Sequence, residues 1–278
     1  MRIEQSHRRW IYASIVILVL CAIPYLIWAR SYPGGPSGGS ALGLFYGSLG
    51  YAFMLFAGAL AVKKRLRTWN MGRTQSWMRG HLWFGLLTLP LILFHSGFAW
   101  RGPLTFVLMI LLFFVIGSGI FGAVLQHYMP KFITTQVQRE TIYEEIPHVQ
   151  AELRVEAEKL LGSAGALPVS ATDIVSLSDT YREKIRPYLE NPERPPAAGV
   201  ALATAKSSQQ TFYSIRKELS PALTQVVDDL EKIVAEARQL NRQRTLQRIL
   251  QGWLIVHIPT SAAVIVLGGI HAVVALFY

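Results

Sequence analysis

Residues 77–100 read WMRGHLWFGLLTLPLILFHSGFAW. The stretch is apolar and long enough to cross a bilayer, whose roughly 30 Å hydrocarbon core takes about 20 helical residues. It nevertheless carries two histidines, His81 and His95, fourteen positions apart. A polar side chain is unfavourable in hydrocarbon, so its presence there points to function.

Five runs have this spanning character: residues 11–29, 41–62, 81–100, 104–127 and 249–278, in a chain that is 51% hydrophobic with a mean hydropathy of +0.32. The first contains Pro24 and has no small-x-small exit, so it reads as a retained anchor rather than a cleaved signal. Between the fourth and fifth runs lies a charged, aqueous segment with helical periodicity, including VQAELRVEAEKLL. Its second half opens with Ser220 and Pro221 as helix-start signals. Leu223, Val226, Val227, Leu230, Ile233, Val234, Ala237 and Leu240 follow at amphipathic spacing, and this helix is expected to run into the fifth span. The expected fold is an all-α integral membrane bundle of five transmembrane helices. Residues 1–127 supply four, 128–248 form a helical cytoplasmic insertion, and 249–278 complete the bundle.

The net charge of +10 suggests nucleic acid until it is mapped. Sixteen of the seventeen acidic residues fall in 128–248, where sixteen Lys and Arg balance them. The surplus sits in MRIEQSHRR and in KKRLRTWNMGRTQSWMRG, short loops flanking spans, while SYPGGPSGGS and RGP are nearly uncharged. By the positive-inside rule the N-terminus and the insertion are cytoplasmic and the C-terminus is outside, with membrane lipid, not nucleic acid, as the partner. The seven tryptophans lie near span ends or in the basic loop, as interfacial anchors. One cysteine, Cys21, leaves no disulfide framework, thiolate-held cluster or covalent haem attachment motif.

His257 and His271 in the fifth span repeat the spacing of His81 and His95. At about 100° and 1.5 Å per residue, fourteen steps return to within about 40° of the same face after climbing about 21 Å. Chance agreement of both spacings within ~20-residue runs is on the order of one in a few hundred. Two layers of facing imidazoles suit a flat macrocycle whose iron takes one axial ligand on each side, that is, two stacked haems. Zinc would want three or four ligands close together, and the spans carry no carboxylates. Gly80, Gly85, Gly97, Gly252, Gly268 and Gly269 either leave room for a porphyrin or serve close helix packing. Arg73 and Arg79 inside, and Arg30 and Arg101 outside, are candidate partners for the carboxylate groups of such a cofactor, with Arg79 and Arg101 placed beside the histidine spans. Residues 117–122, GSGIFG, match G-x-G-x-x-G but lie inside an apolar run without a strand–turn–helix context, so they read as a small-residue packing face. His7 and His127 flank spans on the inner side, as interfacial residues or contacts for a third haem or a quinone; His148 lies in the insertion.

Two spans separated by one return span, each with histidines fourteen apart, resemble di-haem b-type membrane cytochromes: cytochrome b of quinol-oxidising bc complexes, and the ferric reductase and NADPH oxidase transmembrane domain. The resemblance covers spans two to five. It implies that His81, His95, His257 and His271 are axial ligands of two haems b, in a bacterial inner-membrane electron-transfer subunit served by redox partner subunits or a cytochrome c-type protein, with quinone as a further cofactor candidate. No PEWY-like motif is present and no flavin or nicotinamide domain follows span five, so the expectation is an electron carrier rather than a self-sufficient enzyme. The alternatives are a ferric or oxygen reductase fed by a separate flavoprotein and, from another class, a haem-free anchor or scaffold displaying its insertion.

Overall fold

The computed structural model describes residues 5–31, 37–65, 72–134 and 145–277. They form helices and no strand, in the order α1 (Arg8–Ser31), α2 (Ala41–Arg65), α3 (Thr74–Ser96), α4 (Pro103–Thr134), α5 (Ile146–Ala164), α6 (Ala171–Thr180), α7 (Arg186–Glu190), α8 (Ala205–Glu218) and α9 (Thr224–Phe277). The chain divides into two compact units, residues 1–128 with 250–278 and residues 129–249, and α9 supplies residues to both. Five helices are long and apolar enough to cross a membrane: α1 to α4 and α9.

In the first unit α2 and α3 pack antiparallel along aromatic pairs. Phe53 stacks on Phe84 and Phe56 on Trp77, at ring-centre separations of 4.6 and 5.0 Å. Gly80 permits this approach, since a Cβ there would press on the Phe56 ring. α1 joins them through Tyr25, stacked on Phe94 at 4.5 Å, and through Tyr46, whose hydroxyl donates to the Cys21 carbonyl at 2.7 Å. Met109 and Leu112 of α4 close on Val264 of α9, and the Tyr51 hydroxyl of α2 donates to the Ile265 carbonyl of α9 at 3.0 Å. Gly268 and Gly269 make the space in which the Tyr51 ring lies. The outward faces keep exposed residues such as Val16, Leu20, Phe106, Ile110, Ile255 and Val266, which suits contact with lipid.

The helices extend past the boundaries read off hydropathy at several ends, and α3 shows why. α3 starts at Thr74 and ends at Ser96, whereas the apolar run suggested 81–100. Hydropathy marks the part of a helix that touches hydrocarbon, but the hydrogen-bond ladder continues into the interface, so His81 lies about two turns inside the helix. Gly97 then takes a left-handed conformation (φ 59°) and Phe98 follows it (φ 58°), which stops the helix and leaves Trp100 outside. At the other end of the chain, the expected passage from the insertion into the last span is realised: a single turn at Pro221–Leu223 leads into the 54-residue α9.

The second unit is a helical domain with its own core. All eight apolar positions expected on the amphipathic start of α9, Leu223 to Leu240, are buried, against Phe212 and Ile215 of α8, Leu153 and Ala157 of α5 and Tyr188 of α7. Ser170 and Thr204 cap α6 and α8 by accepting from the backbone amides of Thr172 and Ser207. Tyr181–Ile185 form a π-helical turn between α6 and α7 that buries both end residues. Burial pushes the Tyr181 phenol up to about 12, and Glu158 adds to it. Glu193 lies between Arg244 and Arg248, at 2.8 and 2.7 Å, tying the Pro-rich turn to α9. Arg216 bridges Asp228 and Glu231.

Candidate functional site

His81 and His95 on α3 face His257 and His271 on α9. The two helices run parallel, so one vertical offset serves both pairs. His81 lies beside His257 with ring centres 6.4 Å apart and planes at 73°. His95 lies beside His271 at 6.3 Å and 76°. Two ring radii of about 1.1 Å subtracted from these separations leave the nearest ring nitrogens about 4 Å apart or more, outside hydrogen-bond reach. Two metal–nitrogen bonds of about 2 Å, in line with the same ring radii, place the ring centres about 6.2 Å apart. The observed separations of 6.4 and 6.3 Å are close to that span.

The ring orientations are set from behind. His81 Nδ1 lies 2.9 Å from the Ala57 carbonyl and His95 Nδ1 lies 2.9 Å from the Gly43 carbonyl, both on α2. His257 Nδ1 lies 2.7 Å from the Ser118 hydroxyl on α4. A carbonyl accepts only, so Nδ1 of His81 and of His95 carries the proton, and Nε2 is left with its lone pair, the ligand-competent tautomer. Gly47 and Gly38 of the α2 side give His95 its place, since a Cβ at Gly47 would sit 2.6 Å from Nδ1.

Two cavities, of ≈ 140 and ≈ 290 Å³, border His81 and His257. They share Ala57, Gly58, Gly119 and Ser261 and extend from the histidine pair in opposite directions along the helices. The smaller is walled by Gly85, Thr88, Leu112 and Val115. The larger is walled by Lys64, Met78, Gln126 and Trp253, with polar groups toward the basic end of α2. A hollow passing on both sides of a histidine pair, apolar at one end and cationic at the other, fits a flat macrocycle with carboxylates on one edge. Among the described residues no three His, Cys, Asp or Glu side chains converge, so a compact zinc-type ligand set is not formed there.

The remaining candidates fall elsewhere. Arg79 is half-buried on α3, about 200° around the helix from His81, and it lines neither cavity; Arg101 is exposed before α4. Lys64, passed over in the basic loop, is the cation at the cavity wall. Of the six glycines marked by sequence, Gly85 borders a cavity while Gly80, Gly268 and Gly269 serve packing against Phe56 and Tyr51. Gly58, not among those six, and Gly119, read as part of the GSGIFG packing face, border both cavities. His7 is buried and accepts from the Trp83 indole at 3.1 Å, His127 lies edge-on to Tyr128, and exposed His148 pairs with Glu152. Ser118, read as part of a packing face, and Trp253, read as an interfacial anchor, both lie against His257 instead; a serine inside a 24-residue apolar run is a signal of the same kind as the histidines. Compared with known protein families, with curated proteins and with solved structures, the chain matches none.

Proposed function

We propose that the chain is a membrane b-type cytochrome that carries electrons across the bilayer through two bis-histidine haems, as a subunit of a quinone-linked redox complex. The observation that carries this reading is the pair of facing imidazoles, repeated at 6.4 and 6.3 Å. His81 with His257 would hold the inner haem and His95 with His271 the outer one. When bound, each haem supplies a reversible one-electron iron couple.

The chain's own part is to hold imidazoles in the ligating tautomer, exclude water and orient the cofactor's edge. The α2 carbonyls of Ala57 and Gly43 do the first for α3. Apolar walls from Leu112, Val115 and Ile265 do the second around the inner pair. Lys64 provides a cation for carboxylates pointing toward the basic loop. With the layers about 21 Å apart along α3 and α9, the two together reach across most of the ~30 Å core. By the positive-inside rule the N-terminus and the 128–248 segment lie in the cytoplasm of a bacterial inner membrane and the C-terminus outside. A quinone, a partner subunit or a cytochrome c-type protein would exchange electrons at the two ends.

The deciding experiment is a reduced-minus-oxidised visible spectrum of the purified full chain, with haem quantified against protein. Two b-type haems per chain are expected. Protein that folds and carries none would replace this reading with a haem-free anchor or scaffold.

A further inference from the structure

The segment GSGIFG, residues 117–122 of α4, is more than a packing face: three of its residues together seat His257. The Ser118 hydroxyl lies 2.7 Å from His257 Nδ1 and 3.0 Å from the Val115 carbonyl in the preceding turn. A hydroxyl has one proton to give. The Val115 carbonyl can only accept; with the hydroxyl proton turned to it, Ser118 Oγ is the acceptor for His257 Nδ1–H. In that arrangement the Nε2 of His257, whose ring lies beside His81, is unprotonated.

The Ser118 carbonyl is also engaged. It accepts from the Trp253 indole at 2.8 Å, and that indole stacks on the His257 ring at 5.1 Å and 28°. Gly122 is the floor of this arrangement, since a Cβ there would collide with the Trp253 ring, and a Cβ at Gly119 would rest 3.7 Å from His257 Cε1. One residue of α4 therefore fixes both rings that α9 presents at this level. On α3, the Nδ1 partners of His81 and His95 are main-chain carbonyls of α2, which no substitution removes. His257 alone of these three depends on a side chain.

We propose that Ser118 is a positioning residue for the inner haem, setting the tautomer of His257 and, through the acceptor on Nδ1, its strength as an iron ligand. The inference rests on the haem reading above. An acceptor on Nδ1–H raises the basicity of the ligating nitrogen and favours the ferric state. Weakening that acceptor should raise the midpoint potential of the inner haem and leave the outer one where it was.

The test is a redox titration of the full chain, followed in the visible band, on Ser118→Cys and Ser118→Thr. Cysteine is close in shape but a weak acceptor; threonine retains the hydroxyl. The inner signal is identified as the one abolished by His257→Ala. Ser118→Cys is expected to raise the potential of that signal alone, with Ser118→Thr at the wild-type value. Loss of the inner signal in the cysteine variant, with retention in the threonine variant, assigns the hydroxyl the same role. Three results overturn it: an unchanged potential in Ser118→Cys, an equal shift of both haems, or a threonine variant as altered as the cysteine one. Absence of haem from the wild-type chain would remove the functional reading itself and is seen before any variant is made.

Discussion

The two units of this chain bury opposite things. Residues 129–249 gather one continuous apolar core, with Leu153, Tyr188, Phe212, Leu223 and Leu230 at its centre and charge on the surface. Residues 1–128 with 250–278 have only small apolar clusters, expose Leu, Ile, Val and Phe outward, and turn histidines, a serine and a hollow inward. Water drives the first arrangement, because apolar area removed from water stabilises by about 25 cal/mol per Å². Lipid offers no such drive between helices, so association there rests on close packing and interhelical hydrogen bonds. A bundle held in that way can keep a cavity among its helices.

The comparison breaks most sharply at the histidines. His81→Ala and His257→Ala should each abolish the inner haem signal, and combining them should add little, because the two act as one unit. His95→Ala and His271→Ala should do the same to the outer signal, while His81→Ala with His271→Ala should remove both. Spectra and haem stoichiometry showing His81 and His271 sharing one signal would dismantle the two-layer arrangement.

In the other unit, Phe212→Ala opens a fully buried site and should destabilise that domain by about 3–5 kcal/mol. Hydrogen exchange on the full chain should show α5 to α8 losing protection while both haem signals persist. Collapse of the haem signals as well would show that the two units do not keep separate accounts of stability. A smaller intrusion tests the bundle: Gly47→Ala puts a Cβ 2.6 Å from His95 Nδ1 and should displace or weaken the outer haem signal, whereas Gly39→Ala, with open space around it, should leave both unchanged.

The pH response should belong to the aqueous unit. Tyr181, ordinarily near 10, is pushed up to about 12 by burial, and burial raises Tyr188 in the same direction. The folded domain then holds protons that the unfolded chain releases, so its stability is full below pH 10 and falls as pH rises from 10 toward 12. Tyr181→Phe should flatten that fall, as read by thermal melts of the full chain at stepped pH. The smallest effect is expected at Glu193, whose carboxyl is held below its usual range chiefly by the hydrogen bond from Arg248, with Arg244 adding to it. Glu193→Gln should lower the melting stability by at most about 1 kcal/mol, since the pairs are partly solvated.

Much of this protein is written locally and therefore legible in one dimension. Spanning length, the amphipathic rise from Leu223 to Leu240 and the equal spacing of two histidine pairs are properties of single helices, determined by pitch and by the solvent each face must meet. Parallel direction and equal spacing also set His81 opposite His257 and His95 opposite His271. What lies behind the rings was not legible. That Ala57 and Gly43 back the α3 histidines while Ser118 backs His257, that Lys64 rather than Arg79 reaches the cavity, and that Gly58 and Gly119 border it, all depend on how one helix is rotated and raised against its neighbour. Helical periodicity assigns a residue to a face. Only the interlocking of aromatic rings with glycines, Phe56 over Gly80, Tyr51 over Gly268 and Trp253 over Gly122, decides what that face will touch.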